Sequence, residues 1–242
     1  MRAVEITRTA CAAAAITGIS SMATRAVLAR LAAAHADETG CRVSITSVGG
    51  VDAARRVRAG EPFDFVVLAS DAIERLAADG HVDGGSRVDV ARSGIAVAVA
   101  AGTARPEIGT EADVRDTILR AGRIGYSTGP SGVHLNRLFE RWGIAKAIAP
   151  RIVQAPPGVP VGELIAAGDV ELGFQQLSEL MHVPGIDVVG VLPEAAQFVT
   201  VFSAAVCRTA HDRAAAVRFL ACVASPHADR IKREHGMEPA SG

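Results

Sequence analysis

Short apolar stretches rich in β-branched residues alternate along the chain with longer segments whose apolar residues have helical spacing. The short stretches predict strands at 14–19, 42–47, 65–69, 95–100, 123–127, 170–174, 188–191 and 199–206. The longer segments predict helices at 22–36, 52–59, 71–78, 111–119, 132–142, 162–167, 213–223 and 227–234. Several of the predicted strands are apolar throughout, as parallel strands covered by helices on both faces are. The alternation therefore predicts an α/β fold with mostly parallel sheets.

Two long strand-like runs, SGIAVAVAAGT at 93–103 and FVTVFSAAVCR at 198–208, suggest connections between two lobes. If both runs cross between the lobes, the middle of the chain is an inserted second lobe. We then expect a discontinuous first lobe at 1–97 and 204–242, a second lobe at 98–203, and a ligand cleft between them.

The composition excludes two large classes of protein. The 242 residues contain 25 Lys and Arg against 26 Asp and Glu, so the formal net charge is −1. A nucleic-acid-binding protein would need a basic stripe, which this balance argues against. Although 49% of the residues are hydrophobic, no uninterrupted apolar run reaches the roughly 18 residues of a membrane span.

The sequence contains no motif for a metal or a nucleotide cofactor. The four cysteines are scattered and form no CxxC pair, so we expect reduced, mostly buried thiols and no zinc site. The sequence leaves open whether any two of them form a disulfide. Neither GxxxxGK[ST] nor GxGxxG is present, which argues against nucleotide cofactors. We expect no cofactor.

The first 20 residues combine a few basic positions with an alanine-rich stretch, and Glu5 and Arg8 interrupt the apolar run that a signal peptide requires. As given, the chain is expected to stay in the cytoplasm. It would be periplasmic, with an ABC transporter as partner, if the start or an export signal is missing.

Small or polar residues follow the predicted strands at five junctions drawn from both lobes. Helix N-termini at such junctions offer free N–H groups and a positive dipole end, which bind anions. Each residue alone is also an ordinary helix cap. Together they predict an anion-binding cleft; the residues concerned are Ser20, Ser21, Gly49, Gly50, Ser70, Thr128, Ser131 and Gln176.

The stretch AARRVRAGEPFDFVVLASD at 53–71, and PSGVHLNRLFERWGI followed by VELGFQQ, resemble the molybdate-binding branch of the type 2 periplasmic solute-binding proteins. The resemblance implies two α/β lobes joined by two crossover strands. It also implies oxyanion contacts at Ser21, Gly50, Ser131, Gly158 and Gln176. Two positions depart from that branch, because Gly50 replaces a serine and Gln176 replaces a tyrosine.

The segments GISSMATRAVL, YSTGPSG and GFQQLSEL resemble those of aconitate isomerases, which are enzymes built on the same fold. This resemblance implies conversion of trans-aconitate to cis-aconitate by an allylic proton shift. The alternative is a non-catalytic solute-binding protein for molybdate or another oxyanion or carboxylate.

An allylic proton shift needs a base within reach of two carbons, and donors that stabilise the charge on the intermediate. With Ser131 as cap, His134 occupies the third position of a helix, where the dipole favours the neutral imidazole that a base requires. Tyr126 ends the preceding strand and is a candidate donor or acid, and Arg25 is a candidate for bidentate carboxylate binding. Each also has an interpretation without a function. His134 would then face solvent, Tyr126 would pack on its strand, and Arg25 would be a solvated arginine on a helix.

Overall fold

A computed structural model describes residues 15–156 and 158–240 of the chain. Cys11 and the first residue of the first predicted strand lie outside this part. The strands are β1 (Ile16–Ser21), β2 (Val43–Val48), β3 (Phe65–Ala69), β4 (Val82–Ser93), β5 (Ile95–Ala100), β6 (Ile124–Tyr126), β7 (Ile152–Gln154), β8 (Leu172–Gln176), β9 (Ile186–Val191), β10 (Thr200–Cys207) and β11 (Glu238–Pro239).

The helices are α1 (Arg25–Thr39), α2 (Gly50–Arg58), α3 (Ser70–Ala78), α4 (Glu111–Arg120), α5 (Pro130–Arg141), α6 (Ala145–Ile148), α7 (Val161–Ala166), α8 (Leu177–Leu180), α9 (Arg213–Ala224) and α10 (Asp229–Glu234). Every helix and strand that the pattern predicts is therefore present, with ends shifted by a few residues.

The strands form two sheets, in the orders β11-β4-β10-β3-β1-β2 and β7-β6-β8-β5-β9. The α/β class with helices flanking two sheets is confirmed, and both sheets are mixed rather than mostly parallel. Strands joined through a helix, such as β1 and β2 or β6 and β7, pair in parallel. The strands next to the connections between the sheets, β4, β5, β9 and β10, pair antiparallel, because there the chain enters each sheet from the other one.

The chain passes between the sheets twice. The first passage is at Gly94, between β4 and β5, and the second lies between β9 and β10. Both changes of sheet come a few residues earlier than the predicted lobe boundaries at 97 and 203. We call the unit around the six-stranded sheet the first lobe and the unit around the five-stranded sheet the second lobe.

Helices cover the sheets, and each lobe has its own apolar core. In the first lobe Phe65 and Phe219 pack with ring centroids 5.1 Å apart. In the second, Tyr126 and Phe139 meet edge to face with centroids 5.9 Å apart. None of the helices in the described part of the chain is both long and apolar enough to span a membrane.

Candidate active site

A cavity of about 760 Å³ lies between the lobes and is lined by residues of both. Its volume falls within the roughly 300–1,000 Å³ of small-molecule sites. We call it the cleft. Most of the predicted binding residues line it: Ser21, Gly49, Gly50, Ser70, Thr128, Ser131, Gly158 and Gln176.

Among the helices of the described residues, α2, α3 and α5 begin at the cleft without a side-chain cap. The N-cap residues of α2, α3 and α5 are Gly49, Ala69 and Gly129, and none of them has a side chain able to accept a hydrogen bond. The N–H groups of each first turn are therefore open to a ligand, and each helix presents the positive end of its dipole. Ser70 and Ser131 lie within the first turns rather than at the caps. Such an arrangement binds anions.

Ser21 carries an unpaired hydroxyl into this site. It is the last residue of β1, it is 8% exposed, and its Oγ has no hydrogen-bond partner in the part of the chain that the structure describes. Its Cβ lies 3.8 Å from where a side chain at Gly50 would begin, beside the N-terminus of α2. A buried hydroxyl without a partner is costly. A bound anion would satisfy it.

The turn before α5 forms the opposite wall. The hydroxyl oxygens of Ser127 and Ser131 are 3.2 Å apart, and the Gly129 N–H donates to Ser127 Oγ at 3.3 Å. Gly132 holds the helix against this turn, since a Cβ there would lie 1.7 Å from the Ser127 carbonyl oxygen. The glycine is therefore needed to shape this wall.

Farther along α5, His134 and Arg137 line the cleft. Nε2 of His134 lies 3.0 Å from the Ala196 carbonyl oxygen, so this nitrogen carries the hydrogen. The ring stacks on Phe198 with centroids 5.1 Å apart. Arg137 is exposed and forms no ion pair with the described residues, which leaves its guanidinium for a carboxylate.

Three predicted site residues lie elsewhere. Ser20 is fully buried, and its hydroxyl is 2.9 Å from that of Ser47 on the neighbouring strand. Arg25 lines a separate depression beside β2 together with Arg42. Tyr126 packs in the second-lobe core, donates to Asn136 Oδ1 at 2.7 Å, and has its pKa raised by burial.

Gln176 connects both passages between the lobes. With its amide oriented so that every partner is satisfied, its nitrogen donates to the carbonyl oxygens of Ser93 at 2.8 Å and Gly94 at 3.3 Å. Its oxygen accepts from the Thr200 hydroxyl at 2.8 Å. The side chain that replaces the tyrosine of the molybdate-binding branch thus fastens the two connections at the base of the cleft.

Glu179 is the functional candidate that the sequence pattern did not single out. It lines the cleft on α8, a four-residue helix too short to give a periodic signal. Gln175 Nε2 donates to its Oε1 at 2.7 Å, and the Val161 N–H donates to Gln175 Oε1 at 2.7 Å. The four-residue spacing of Gln175 and Glu179, directly after a buried strand, was the signal available in the sequence.

The other two cleft carboxylates are engaged with arginines. Asp52 pairs with Arg55, and Asp71 pairs with Arg75 at 2.7 Å. Within the described residues, no group of three or more His, Cys, Asp or Glu side chains is arranged to hold a metal ion.

Comparisons with known proteins agree with this architecture. A protein of Pseudomonas sp. named aconitate isomerase is 36% identical over 230 residues, which cover 93% of this chain and 87% of that protein. The periplasmic molybdate-binding protein of Azotobacter vinelandii superposes with a TM-score of 0.77 at 21% identity, covering 92% of this chain and 98% of that one. For the tungstate-binding protein TupA of Desulfovibrio alaskensis G20 the TM-score is 0.69 at 14% identity, with coverages of 95% and 100%.

The two superpositions confirm the two-lobe binding-protein fold. At identities of 21% and 14% they support the fold alone. The match to the family described as bacterial extracellular solute-binding proteins extends over residues 16–238. The chain therefore belongs to the bacterial extracellular solute-binding protein family.

Proposed function

We propose that the protein is an isomerase that interconverts trans-aconitate and cis-aconitate. The observation that carries the proposal is the 36% identity to a Pseudomonas aconitate isomerase over nearly the whole chain. The cleft supports it, because three uncapped helix N-termini meet there and the substrate has three carboxylates. The formal net charge of −1 means that these local dipoles, with Arg137, must supply the attraction.

The reaction moves one proton between two carbons. A base removes a proton from the methylene carbon of trans-aconitate, the electrons of that C–H bond form a new double bond to the central carbon, and the old double bond shifts its electrons to the former vinyl carbon. Return of the proton to that carbon gives the isomer. Atoms and electrons balance without a co-reactant, and the charge of the intermediate spreads onto a carboxylate that hydrogen-bond donors can stabilise.

Purified protein incubated with trans-aconitate should produce cis-aconitate, measured by chromatography until the ratio is constant. Ser21→Ala removes one donor to the substrate and leaves no protein partner unsatisfied. We expect this variant to fold and to lose about 10-fold or more in kcat/KM, as loss of a hydrogen bond to a charged group implies.

The contrary result would be binding without conversion. If the protein forms no cis-aconitate but molybdate or tungstate raises its melting temperature, it is a non-catalytic solute-binding protein.

A further inference from the structure

We propose that Glu179 is the catalytic base that carries the proton between the two substrate carbons. The proposal rests on the isomerase function above, and it assigns the proton transfer that the N–H and hydroxyl donors of the cleft cannot carry out. The sequence pattern favours His134 for this role.

The position of Glu179 suits a proton carrier. Helix α8 belongs to the second lobe but packs against residues Met22–Thr24 of the first lobe, directly after Ser21. The carboxylate, which lines the cleft, therefore lies where the two lobes meet.

Its hydrogen bonds fix the side chain and leave one oxygen open. The chain from the Val161 N–H through the Gln175 amide ends on Oε1. Oε2 accepts no hydrogen bond from the residues at 15–156 and 158–240. One oxygen of the carboxylate is thus positioned by the protein while the other can take and return a proton.

The other groups of the cleft that could accept a proton are held by partners of their own. Asp52 and Asp71 are held in ion pairs with arginines. His134 directs Nε2 to the Ala196 carbonyl oxygen and stacks its ring on Phe198. Among the described carboxylates that line the cleft, Glu179 is the one without an ion-pair partner.

The surroundings of Glu179 also give it the basicity of a proton carrier at neutral pH. Burial raises its pKa to about 7, and the hydrogen bond from Gln175 limits the rise. A base is most effective when its pKa is near the working pH.

The titratable groups around Glu179 come from the elements packed against α8 and from across the cleft. The elements packed against α8 are Met22–Thr24, β5, β8 and α7. On those elements the titratable side chain is Glu163. The segment around Gly236 that touches α8 carries Lys232, Arg233, Glu234, His235 and Glu238, and His182 follows α8. Across the cleft, the charged or titratable side chains are Asp52, Arg58, Asp71, Arg75, His134 and Arg137.

The decisive comparison uses Glu179→Gln, His134→Gln and, as a matched control, Glu163→Gln, which changes an exposed carboxylate outside the cleft. We expect Glu179→Gln to lower kcat at least about 100-fold, the usual contribution of general base catalysis. It should also stop exchange of the substrate methylene hydrogens with D2O, followed by proton NMR. Its melting temperature should still rise with trans-aconitate. Glu163→Gln should match the unchanged protein, and His134→Gln should retain exchange.

The pH profile tests the same assignment without any substitution. Because the base must be ionised, kcat/KM of the unchanged protein should be high above pH 7 and fall as pH drops through about 7. Gln175→Met, which removes the hydrogen bond that lowers this pKa, should move the fall to higher pH. In this role Gln175 is a positioning residue.

Three results separate the possibilities. If the unchanged protein forms no cis-aconitate, the proposed function itself fails. If it does, but Glu179→Gln keeps kcat within tenfold or continues to exchange the methylene hydrogens, the assignment of the base is wrong. Loss of exchange in His134→Gln but not in Glu179→Gln would transfer the role to the histidine.

Discussion

The absence of a Cβ at Gly132 lets the turn before α5 form its wall of the cleft. The position is in the first turn of α5, where alanine ordinarily favours a helix more than glycine does. Here a Cβ would overlap the Ser127 carbonyl oxygen, so close contact decides the residue rather than helix propensity. The sequence showed GPSG as a helix start, but it did not show which glycine the contact requires.

Gly132→Ala should therefore lower the free energy of unfolding by about 1–3 kcal/mol, the usual cost of overpacking. The turn carrying Ser127 must also shift, so KM for the substrate should rise. Chemical denaturation and steady-state kinetics measure the two effects. Gly129→Ala is the matched control, because its Cβ would lie 3.6 Å from Ser127 Oγ, an ordinary contact. Equal stability of the two variants would contradict the explanation.

At the scale of elements, the pattern was sufficient for long apolar strands and amphipathic helices and insufficient for short or polar ones. Strand β4 (VDGGSRVDVARS) was not predicted, because its apolar residues are few and a third of it is exposed in the structure. Helix α8 spans only one turn, so its single cleft carboxylate went unnoticed. Helix α1 begins later than predicted, and Arg25 at its start lies on another surface than the expected site.

The connections between the lobes give the next prediction. Gln176→Leu keeps the volume of the side chain but leaves the Ser93 carbonyl and the Thr200 hydroxyl without their partner. We expect a loss of about 1–3 kcal/mol in the free energy of unfolding, measured by urea denaturation. Gln154→Leu, at an exposed position at the end of β7, should change it little. If Gln176→Leu leaves the free energy of unfolding unchanged, these hydrogen bonds do not stabilise the connections.

Over the whole molecule, the fold class and the anion-binding cleft followed from the sequence, whereas the chemistry within the cleft required the structure. Strand ends and helix starts are local features, so the residues around α2, α3 and α5 could be placed from the pattern. The partners of Gln176 and of Glu179 lie on other segments, and their roles emerge only after folding.

Asp64 joins distant parts of the first lobe in the same way. Its carboxylate accepts from the Thr17 N–H at 2.7 Å, from the Thr17 hydroxyl at 3.1 Å, and from the N–H groups of His211 and Asp212 at 2.7 and 3.0 Å. Burial alone would raise its pKa, but these hydrogen bonds outweigh burial and the pKa is lowered. One side chain thus fastens the first strand to the segment that leads into α9.

Asp64→Asn should lower the free energy of unfolding by about 2 kcal/mol at pH 7, because the amide turns an N–H group toward these donors. A lowered pKa in the folded state means that the stabilisation is present above the ordinary pKa and is lost as pH falls below about 4. The difference between the variant and the unchanged protein should therefore shrink toward pH 3. Asp169→Asn, an exposed surface position, is the control. A difference that is independent of pH would contradict this account.

The half-buried carboxylate of Glu179 has a consequence for the heat of ligand binding. A polyanion entering the cleft raises the pKa of a neighbouring carboxyl group further, so near neutral pH the complex holds more protons than its separate parts. Protons must then be drawn from the buffer, and the apparent binding enthalpy changes with the ionisation enthalpy of that buffer. The same uptake makes binding weaker as the medium becomes more alkaline, while turnover needs the ionised base. Affinity and turnover therefore respond to pH in opposite directions.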